Sequence, residues 1–598
     1  MSNFPIETIR HSTAHVMAAA VLELFPGTKL GVGPVIENGF FYDFDLPRPV
    51  TPQDLLKIEK RMREIIARKA EFRREEKSLD DAIDYFKKQE QPLKVALLMD
   101  LKTKGTTSVR PEEAQDVDPA RATSVSVYHT GKFVDLCRGP HVATTRDLAV
   151  FKLTKIAGAY WRGNEKNKQL TRIYGLAFMT QAEMDEYLHM LEEAERRDHR
   201  KLGAELGLFI FDDLVGKGLP LMLPRGTLIR DLIEDFAKDE ERSAGYERVA
   251  TPHLGKEELF TTSGHLPYYK DSMYPPLVMD DGTYYLKAMN CPHHHLIYRH
   301  KPRSYRDLPI RLAEYGTVYR NELSGTLAGL LRVRMLSMND AHIYCRQDQI
   351  ETEFTNVMKL TLRYFKIFGL KNFWFRLSKW DPRHVEKYIN EPENWRASED
   401  AIRRVLKKLG VKFIEAEDEA AFYGPKVDAQ FTSVVGREET MSTIQLDFAA
   451  KKRFGLAYTS EAGEKDGNVF VIHRAPLSTH ERFLAFLIEH YAGAFPTWLS
   501  PVQVAIVPVG QDHLNPSMKL EKMFRAAGIR AEANTSRDTV GYKIRLAEKQ
   551  KVPYMLVVGD KEKSLRSLAV RVRGVKTLKS MTVRAFIKRV QTEIKKRK

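Results

Sequence analysis

Cysteine is scarce in this chain of 598 residues; only Cys137, Cys291 and Cys345 occur. So few thiols leave no disulfide framework and point to a reducing compartment, with a cytoplasmic location expected. Long apolar runs are missing too. None approaches the roughly 18 residues of a membrane-spanning helix, so no membrane partner is expected. The start, Met1-Ser-Asn-Phe-Pro, has neither the basic flank nor the apolar core of a secretory signal. Common nucleotide-binding loops are absent. There is no G-x-x-x-x-G-K-[ST], and Gly31-Val-Gly33 runs into Pro34, so it reads as a turn rather than a dinucleotide loop.

What is present is ordinary globular composition, 43% hydrophobic and 29% charged, in a length that suggests about three to five domains. The net charge of +16 is unevenly placed. Residues 501–598 hold 23 Lys plus Arg against 8 Asp plus Glu, a net of +15 on a nearly neutral body. A basic module of this kind points to a polyanion, nucleic acid above all. Lys595-Lys-Arg-Lys598 alone fits a solubilising tail, but most of the excess lies in segments with ordered patterning.

The patterning divides the chain. Residues 1 to about 175 mix strand-like and helical stretches; Ala14 to Leu24 reads as helix up to Pro26-Gly27. Residues 53–90 are charged with helical spacing and read as a solvated helical appendage. Residues 181–206 read as one long polar linker helix ending near Gly207. Residues 500–598 alternate: strand Val502–Pro508, helix Pro516–Ala527, strand Ile529–Ala533, helix Gly541–Gln550, strands Tyr554–Val558 and Leu568–Val572, and a helix from about Val583. That alternation implies a small α/β layer fold.

Three metal-type side chains stand far apart, each in a distinctive phrase: Cys291 in MNCPHHH, His342 in MNDAHIYC and His473 in VIHRAPLSTHERF. A lone Cys or His is more often a core or surface residue. One thiolate and two imidazoles, however, suffice to hold zinc with its fourth position open. Between the first two phrases lies Thr317-Val-Tyr-Arg-Asn-Glu322, which pairs an arginine with a carboxylate.

These phrases, in this order, resemble the threonyl-tRNA synthetase family of class II aminoacyl-tRNA synthetases, and the resemblance runs from about residue 8 to the C-terminus. The class I signatures HIGH and KMSKS are absent; Lys579-Ser-Met-Thr lies in the basic module and lacks the second lysine. The resemblance implies an α+β multidomain protein. An editing domain (1–180, with the insertion at about 53–90) precedes the linker (181–206). A class II catalytic domain (207–497), an antiparallel sheet flanked by helices, and an α/β anticodon-binding domain (500–598) follow. The small domain that often precedes the editing domain is expected to be missing. A homodimer is implied, with the motif 1 segment around Tyr246 to Pro252 at its interface.

For the reaction, the family match places motif 2 on Tyr319-Arg320-Asn321-Glu322 through Arg332-Val333-Arg334, and the motif 3 arginine on Arg482. Both reactants, the amino-acid carboxylate and the α-phosphate of ATP, are anionic, so cations are needed where charge gathers. Arg320 would meet the α-phosphate and carboxylate, Arg482 the far phosphates, and Glu322 the adenine amino group. Arg332 lies on the same hairpin, and Mg²⁺ would accompany the triphosphate. The implied zinc ligands are Cys291, His342 and His473, with His293, His294 and His295 left off the metal. Met289, Asp340, Tyr423, Lys426 and Gln445 would line the L-threonine pocket, Asp340 holding the ammonium. Zinc serves selection here: an apolar pocket separates the near-isosteres threonine and valine by only about 10²-fold, whereas valine offers a metal no hydroxyl.

Serine keeps the hydroxyl and lacks one methyl, worth about 1–3 kcal/mol, so the family edits after transfer. His11, His15, Asp135, Cys137 and His141 match its editing site. His-x₃-His with Cys-x₃-His is also a zinc pattern; the resemblance favours metal-free hydrolysis of the seryl ester, and both readings stand. Anticodon contacts fall on Glu562 and Arg571, while Arg537 stands near a position where relatives have asparagine. The chain also departs from the family. Leu336 replaces a phenylalanine that stacks on adenine, Met338 a glutamine, Ser478-Thr479 a Gly-Ser, and Glu439-Thr440 a Trp-Gln. These changes bear on ATP affinity more than on amino-acid choice. The expected activity is ligation of threonine to tRNA(Thr) with editing of seryl-tRNA. The alternative is an activation-defective RNA-binding paralogue; a zinc hydrolase confined to residues 1–175 would leave the rest of the chain unexplained.

Overall fold

The computed structural model describes residues 4–105, 123–148, 150–384, 386–433, 436, 438–575 and 577–598. It divides into two units, residues 1–191 and 192–598.

In the first unit α1 (Ile6–Leu24) is nearly all buried over its first four turns and stops ahead of Pro26, whose missing N–H cannot extend a helix. It packs on a sheet whose main strands are β1 (Gly39–Asp45), β6 (Gln169–Phe178) and β5 (Val150–Tyr160), in that order. Val16, Met17, Ala20, Phe40, Phe44 and Ile173 form the shared core. The segment expected to be a solvated helical appendage is not one. α2 (Pro52–Ala67), capped by Thr51 and Asp54, buries Leu55, Ile58, Met62 and Ile65 in the same core. Next comes a strand, β2 (Phe72–Ser78), paired antiparallel with β3 (Ser124–Thr130), which pairs in turn with β4 (Phe133–Leu136). α3 (Leu79–Lys88) and α4 (Pro92–Lys104) bury Ala82, Ile83, Phe86 and Leu98 against Val127. The charges of FRREEKS pair along the strand, Arg74 with Glu76 and Lys77 with Glu75, which gives a helix-like composition an extended home.

The expected single linker helix is also two. α5 (Gln181–Arg197) ends, and Asp198 caps α6 (His199–Leu206) by accepting from Arg200 N–H at 2.7 Å.

The second unit is built on an eight-stranded sheet. Its order is β7 (Glu247–Arg248), β8 (Ile310–Tyr319), β9 (Met335–Cys345), β14 (Phe470–Ala475), β13 (Glu438–Asp447), β12 (Lys426–Thr432), β10 (Phe373–Ser378), β11 (Phe413–Ala416). Only the outer pairs, β7 with β8 and β10 with β11, are parallel. α7 (Pro224–Ser243), α9 (Ile350–Ile367) and α10 (His480–His490) cover one face with Ile229, Phe236, Phe354, Tyr364 and Leu484. α8 (Cys291–Arg299) carries the first ligand candidate at its first residue.

Register decides what meets on the other face. His342 is directly opposite His473, His473 opposite Gln445, and Gln445 opposite Lys426. Residues directly opposite one another share a face, so four side chains scattered over the sequence form one row across β9, β14, β13 and β12. Asp340 and Met338, two and four residues before His342, share it by the period of two.

Residues 504–595 form the expected α/β module: a sheet ordered β16 (Ala531–Ala533), β15 (Val504–Pro508), β17 (Tyr554–Val558), β18 (Leu568–Val572), β19 (Lys579–Met581), with α11 (Leu514–Ala526), α12 (Val540–Lys549) and α13 (Val583–Lys595). The chain end is not a free tail. The Arg597 guanidinium lies 3.1 Å from Glu240 and 4.4 Å over the Phe236 ring.

Candidate active site

The row opens into a cleft of about 520 Å³, within the usual range of about 300–1,000 Å³ for small-molecule sites. Cys291, His342 and His473 line it, as do Arg320, Glu322, Arg482, Met289, Asp340, Tyr423, Lys426 and Gln445. Arg332 does not line the cleft. Its guanidinium is 2.7 Å from Glu322, so the two motif 2 groups hold each other. Leu336 packs with Val318, Val333 and with Met338, which lines the cleft.

The donor atoms of Cys291, His342 and His473 lie within 4.8 Å of one another. The set fits zinc, whose bonds to sulfur and nitrogen are about 2.0–2.3 Å. His342 Nε2 is buried without a hydrogen-bond partner, and burial, with His473 next, keeps that imidazole neutral. The Asp447 carboxylate lies 3.1 Å from His473 Nε2, the carboxylate–imidazole contact that orients ligating histidines. Burial, then Asp340 and Asp447, push the Cys291 thiol well up; coordination to a divalent cation acts in the opposite sense. The neighbouring histidines stay out of the donor set: His294 meets Glu314 and His342, and His295 meets the Tyr344 hydroxyl at 3.0 Å.

Beside the donors, Asn290 Nδ2 donates to Asp340 at 3.1 Å, and the Tyr423 hydroxyl donates to Gln445. Burial raises the Asp340 pKa. At the other end, Arg320 makes no ion pair among the described residues. Among the described residues the Arg482 guanidinium donates to the carbonyls of Leu331 and Thr440, at 3.2 and 3.3 Å, and to no carboxylate. Burial lowers the Arg482 pKa, and Arg320 and Arg332 add to that against the pull of Glu439. Two guanidiniums without carboxylate partners are an anion site waiting for charge. Motif 3 enters with Ser478 at φ 53, the left-handed region that favours glycine, followed by Thr479, whose hydroxyl caps α10.

In the first unit His11 and His15 share one face of α1, and the loop after β4 brings Cys137 and His141 to them. Cys137 Sγ lies 3.2 Å from His11 Nε2 and 3.3 Å from His141 Nε2. Burial pushes the thiol up to about 11 and lowers all three imidazoles, so the cluster is uncharged rather than a thiolate–imidazolium pair. Asp135 stands beside His15 at 3.7 Å and binds Lys94 at 2.6 Å and the Tyr42 hydroxyl at 2.5 Å.

Residues 277–491 match the family described as tRNA synthetase class II core domain (G, H, P, S and T), residues 503–593 the anticodon binding domain, and residues 125–174 the threonyl and alanyl tRNA synthetase second additional domain. The threonine–tRNA ligase of Anoxybacillus flavithermus is 48% identical over 592 residues, 99% of this chain and 89% of the relative. Threonine–tRNA ligase 1 of Bacillus subtilis is 46% identical over 592 residues, with the same coverage of both chains. The chain belongs to the threonine–tRNA ligase family. Among solved structures it resembles the RNA binding domain of threonyl-tRNA synthetase from Cryptosporidium parvum Iowa II. That match has 33% identity and a TM-score of 0.62, and covers 66% of this chain and 98% of that one. It also resembles a putative threonyl-tRNA synthetase of Aeropyrum pernix, at 27% identity and a TM-score of 0.59, over 67% of this chain and 96% of that one.

This ligase therefore combines a class II core with an additional domain and an anticodon-binding domain. In the last, Glu562 accepts from the Gly559 N–H at 3.2 Å, Arg571 is 4.0 Å from Glu548, and Arg537 is exposed in the loop before α12. Sequence reasoning missed Lys94, Tyr42, Asn290, Asp447 and Glu314. It also missed His265, whose Nε2 lies 2.9 Å from the Met289 sulfur and whose pKa burial lowers to about 4. Buried Lys94 and Glu314 had no local signal, since a lone charged residue in sequence reads as surface.

Proposed function

We propose that the cleft activates L-threonine with ATP, forms threonyl-adenylate and passes the threonyl group to tRNA(Thr), and that the first unit hydrolyses seryl-tRNA(Thr). The observation that carries the reading is the row of His342, His473, Gln445 and Lys426, with Cys291 at one end and, in the same cleft, Arg320 and Arg482, neither in an ion pair among the described residues. Cys291, His342 and His473 would hold zinc, and zinc bound there supplies an open Lewis-acid position suited to a vicinal amine and hydroxyl. Asp340 receives the substrate ammonium, while Tyr423 and Gln445, joined by their hydrogen bond, close the side-chain pocket. Arg320 draws the threonine carboxylate and the α-phosphate together. The carboxylate oxygen forms a bond to the α-phosphorus as the bond to pyrophosphate breaks. Arg482 meets the negative charge of the departing pyrophosphate, with Mg²⁺ accompanying the nucleotide. Glu322 faces the adenine once it is released from Arg332.

Editing needs no metal on this reading. Three imidazoles and a thiol would make a closed set of four donors, which leaves no position for a reacting water. Instead the uncharged His11 and His141, each in contact with the Cys137 sulfur, orient a water toward the seryl ester, and Asp135 with Lys94 and Tyr42 sets the adjoining polarity. Glu562 and Arg571 read unstacked anticodon bases. A homodimer agrees with the exposed apolar residues Ile210, Phe211, Leu214 and Leu221 around the ribbon of Phe209–Ile210 and Leu221–Met222. Threonine-dependent exchange of pyrophosphate into ATP tests the reading: exchange is expected with threonine and serine but not with valine. No exchange with threonine at saturating zinc and magnesium would leave the RNA-binding paralogue.

A further inference from the structure

His294 is fully buried, next but two to Cys291, yet outside the donor set. Its Nε2 lies 3.1 Å from Glu314 Oε2, and its Nδ1 lies 2.8 Å from His342 Nδ1. Glu314 also accepts from the Thr251 N–H at 2.8 Å and from its hydroxyl at 2.9 Å. Burial works against its charge, yet His294, Thr251 and Lys287 hold the carboxyl down to about 2. Lys287 is 3.8 Å from Glu314 and donates to the Thr251 hydroxyl at 2.7 Å, so the positive charge that Glu314 needs is already in place.

The protons then follow one after another. An ionised carboxylate can only accept, so His294 Nε2 carries the proton. With Nε2 donating to Glu314, His294 reaches His342 through Nδ1, and the relay has that nitrogen accept from His342 Nδ1–H across 2.8 Å. That leaves His342 Nε2 with a free lone pair, and Nε2 is the buried atom of His342 with no hydrogen-bond partner. Neutral imidazole with a bare nitrogen is the form that binds a metal.

We propose that Glu314 and His294 are positioning residues for the metal: a carboxylate–imidazole–imidazole relay that locks His342 with its proton on Nδ1 and its Nε2 lone pair toward the donor set. The proposal rests on the zinc reading of Cys291, His342 and His473. It adds a function for the second histidine of the run His293 to His295, and it makes the Thr251 backbone part of the support of the site.

Zinc affinity, measured by competition with a chromophoric chelator on the full-length chain, tests it. His294→Phe keeps the ring and removes both hydrogen bonds; it should weaken zinc binding by about 10- to 100-fold, the usual effect of losing an outer-sphere partner. His294→Gln can donate its amide N–H to Glu314 and accept at its oxygen from His342, so it should return affinity close to that of the unmodified chain. Should the Phe variant fail to fold by circular dichroism, His294→Asn, too short to span both partners, takes its place. Wild-type affinity in the Phe or Asn variant overturns the relay, as does a Gln variant as weak as either. Cys291→Ser, run alongside, separates the two claims. If it leaves zinc binding unchanged, the donor set itself is misassigned and the relay falls with it. If it abolishes binding while the His294 variants bind normally, only the relay falls.

Discussion

The buried pair Arg474–Glu241 ties the three class II segments together, and removing half of it should be costly. Both side chains are fully buried, 2.8 Å apart. Glu241, near the end of α7, also accepts from Asn339 Nδ2 at 2.9 Å and pairs with Arg248 of β7 at 3.2 Å, while the Arg474 guanidinium lies 4.4 Å over the Tyr246 ring. Burial opposes the arginine's charge, but Glu241 and the tyrosines outweigh it and raise its pKa. Glu241→Leu leaves that guanidinium without its partner in the core, which costs about 3–5 kcal/mol, whereas replacing both partners by apolar groups is often neutral. The double variant Glu241→Leu/Arg474→Met should therefore recover most of the loss. A single unfolding curve is ill-defined for a chain of several domains, so the readout is native-state hydrogen exchange of peptides covering β8, β9 and β14. The same single variant should depress threonine activation, because Arg474 follows His473 on β14. A loss below about 1 kcal/mol, the scale of an exposed ion pair, would refute this reasoning, as would a double variant no better than the single one.

Other consequences can be checked as directly. Ser478 holds φ 53, so Ser478→Gly should relieve backbone strain and stabilise the second unit by about 0.5–1 kcal/mol in the same exchange experiment. The Asp198 side chain, bonded first by Arg200 and capping α6, titrates at about 2 rather than 3.8. A depressed carboxylate stabilises the fold above its unfolded pKa, so this contribution is lost as pH falls from about 4 to about 2. Asp198→Asn keeps the cap and should remove that part of the acid sensitivity, read from acid-induced opening of α6. His11→Ala and Cys137→Ala should leave threonine activation near normal while seryl-tRNA accumulates; a loss of activation instead would make these residues structural.

The cluster of Cys291, His342 and His473 was legible as a candidate because each residue stands in a phrase whose order along the chain is itself informative. Their geometry was not. The row of His342, His473, Gln445 and Lys426 exists only through strand register, which no local spacing encodes. For the same reason Asp447, Glu314 and Lys94 escaped notice, each brought to its site by packing from a distant element. In the basic module, Tyr554–Val558 and Leu568–Val572 could be read from their apolar runs and match the strands found. Lys579–Met581 could not: a three-residue polar strand on the sheet edge is held by pairing with β18, not by pattern. The strand Phe72–Ser78 was hidden by its charge, since seven residues with one aromatic and five charges look solvated until their partner strand is known. The break at Asp198 was hidden because polar helical spacing continues on both sides of it.

The central claim is that one cluster of Cys291, His342 and His473 both holds the metal and selects the amino acid. Zinc content and threonine-dependent ATP–pyrophosphate exchange, measured on the same preparations of the unmodified chain and of Cys291→Ser, test it most directly. The account predicts one zinc per chain before substitution, and a joint loss of zinc and of threonine activation after it, with the fold intact by circular dichroism. Threonine activation that survives once the zinc is gone would contradict it.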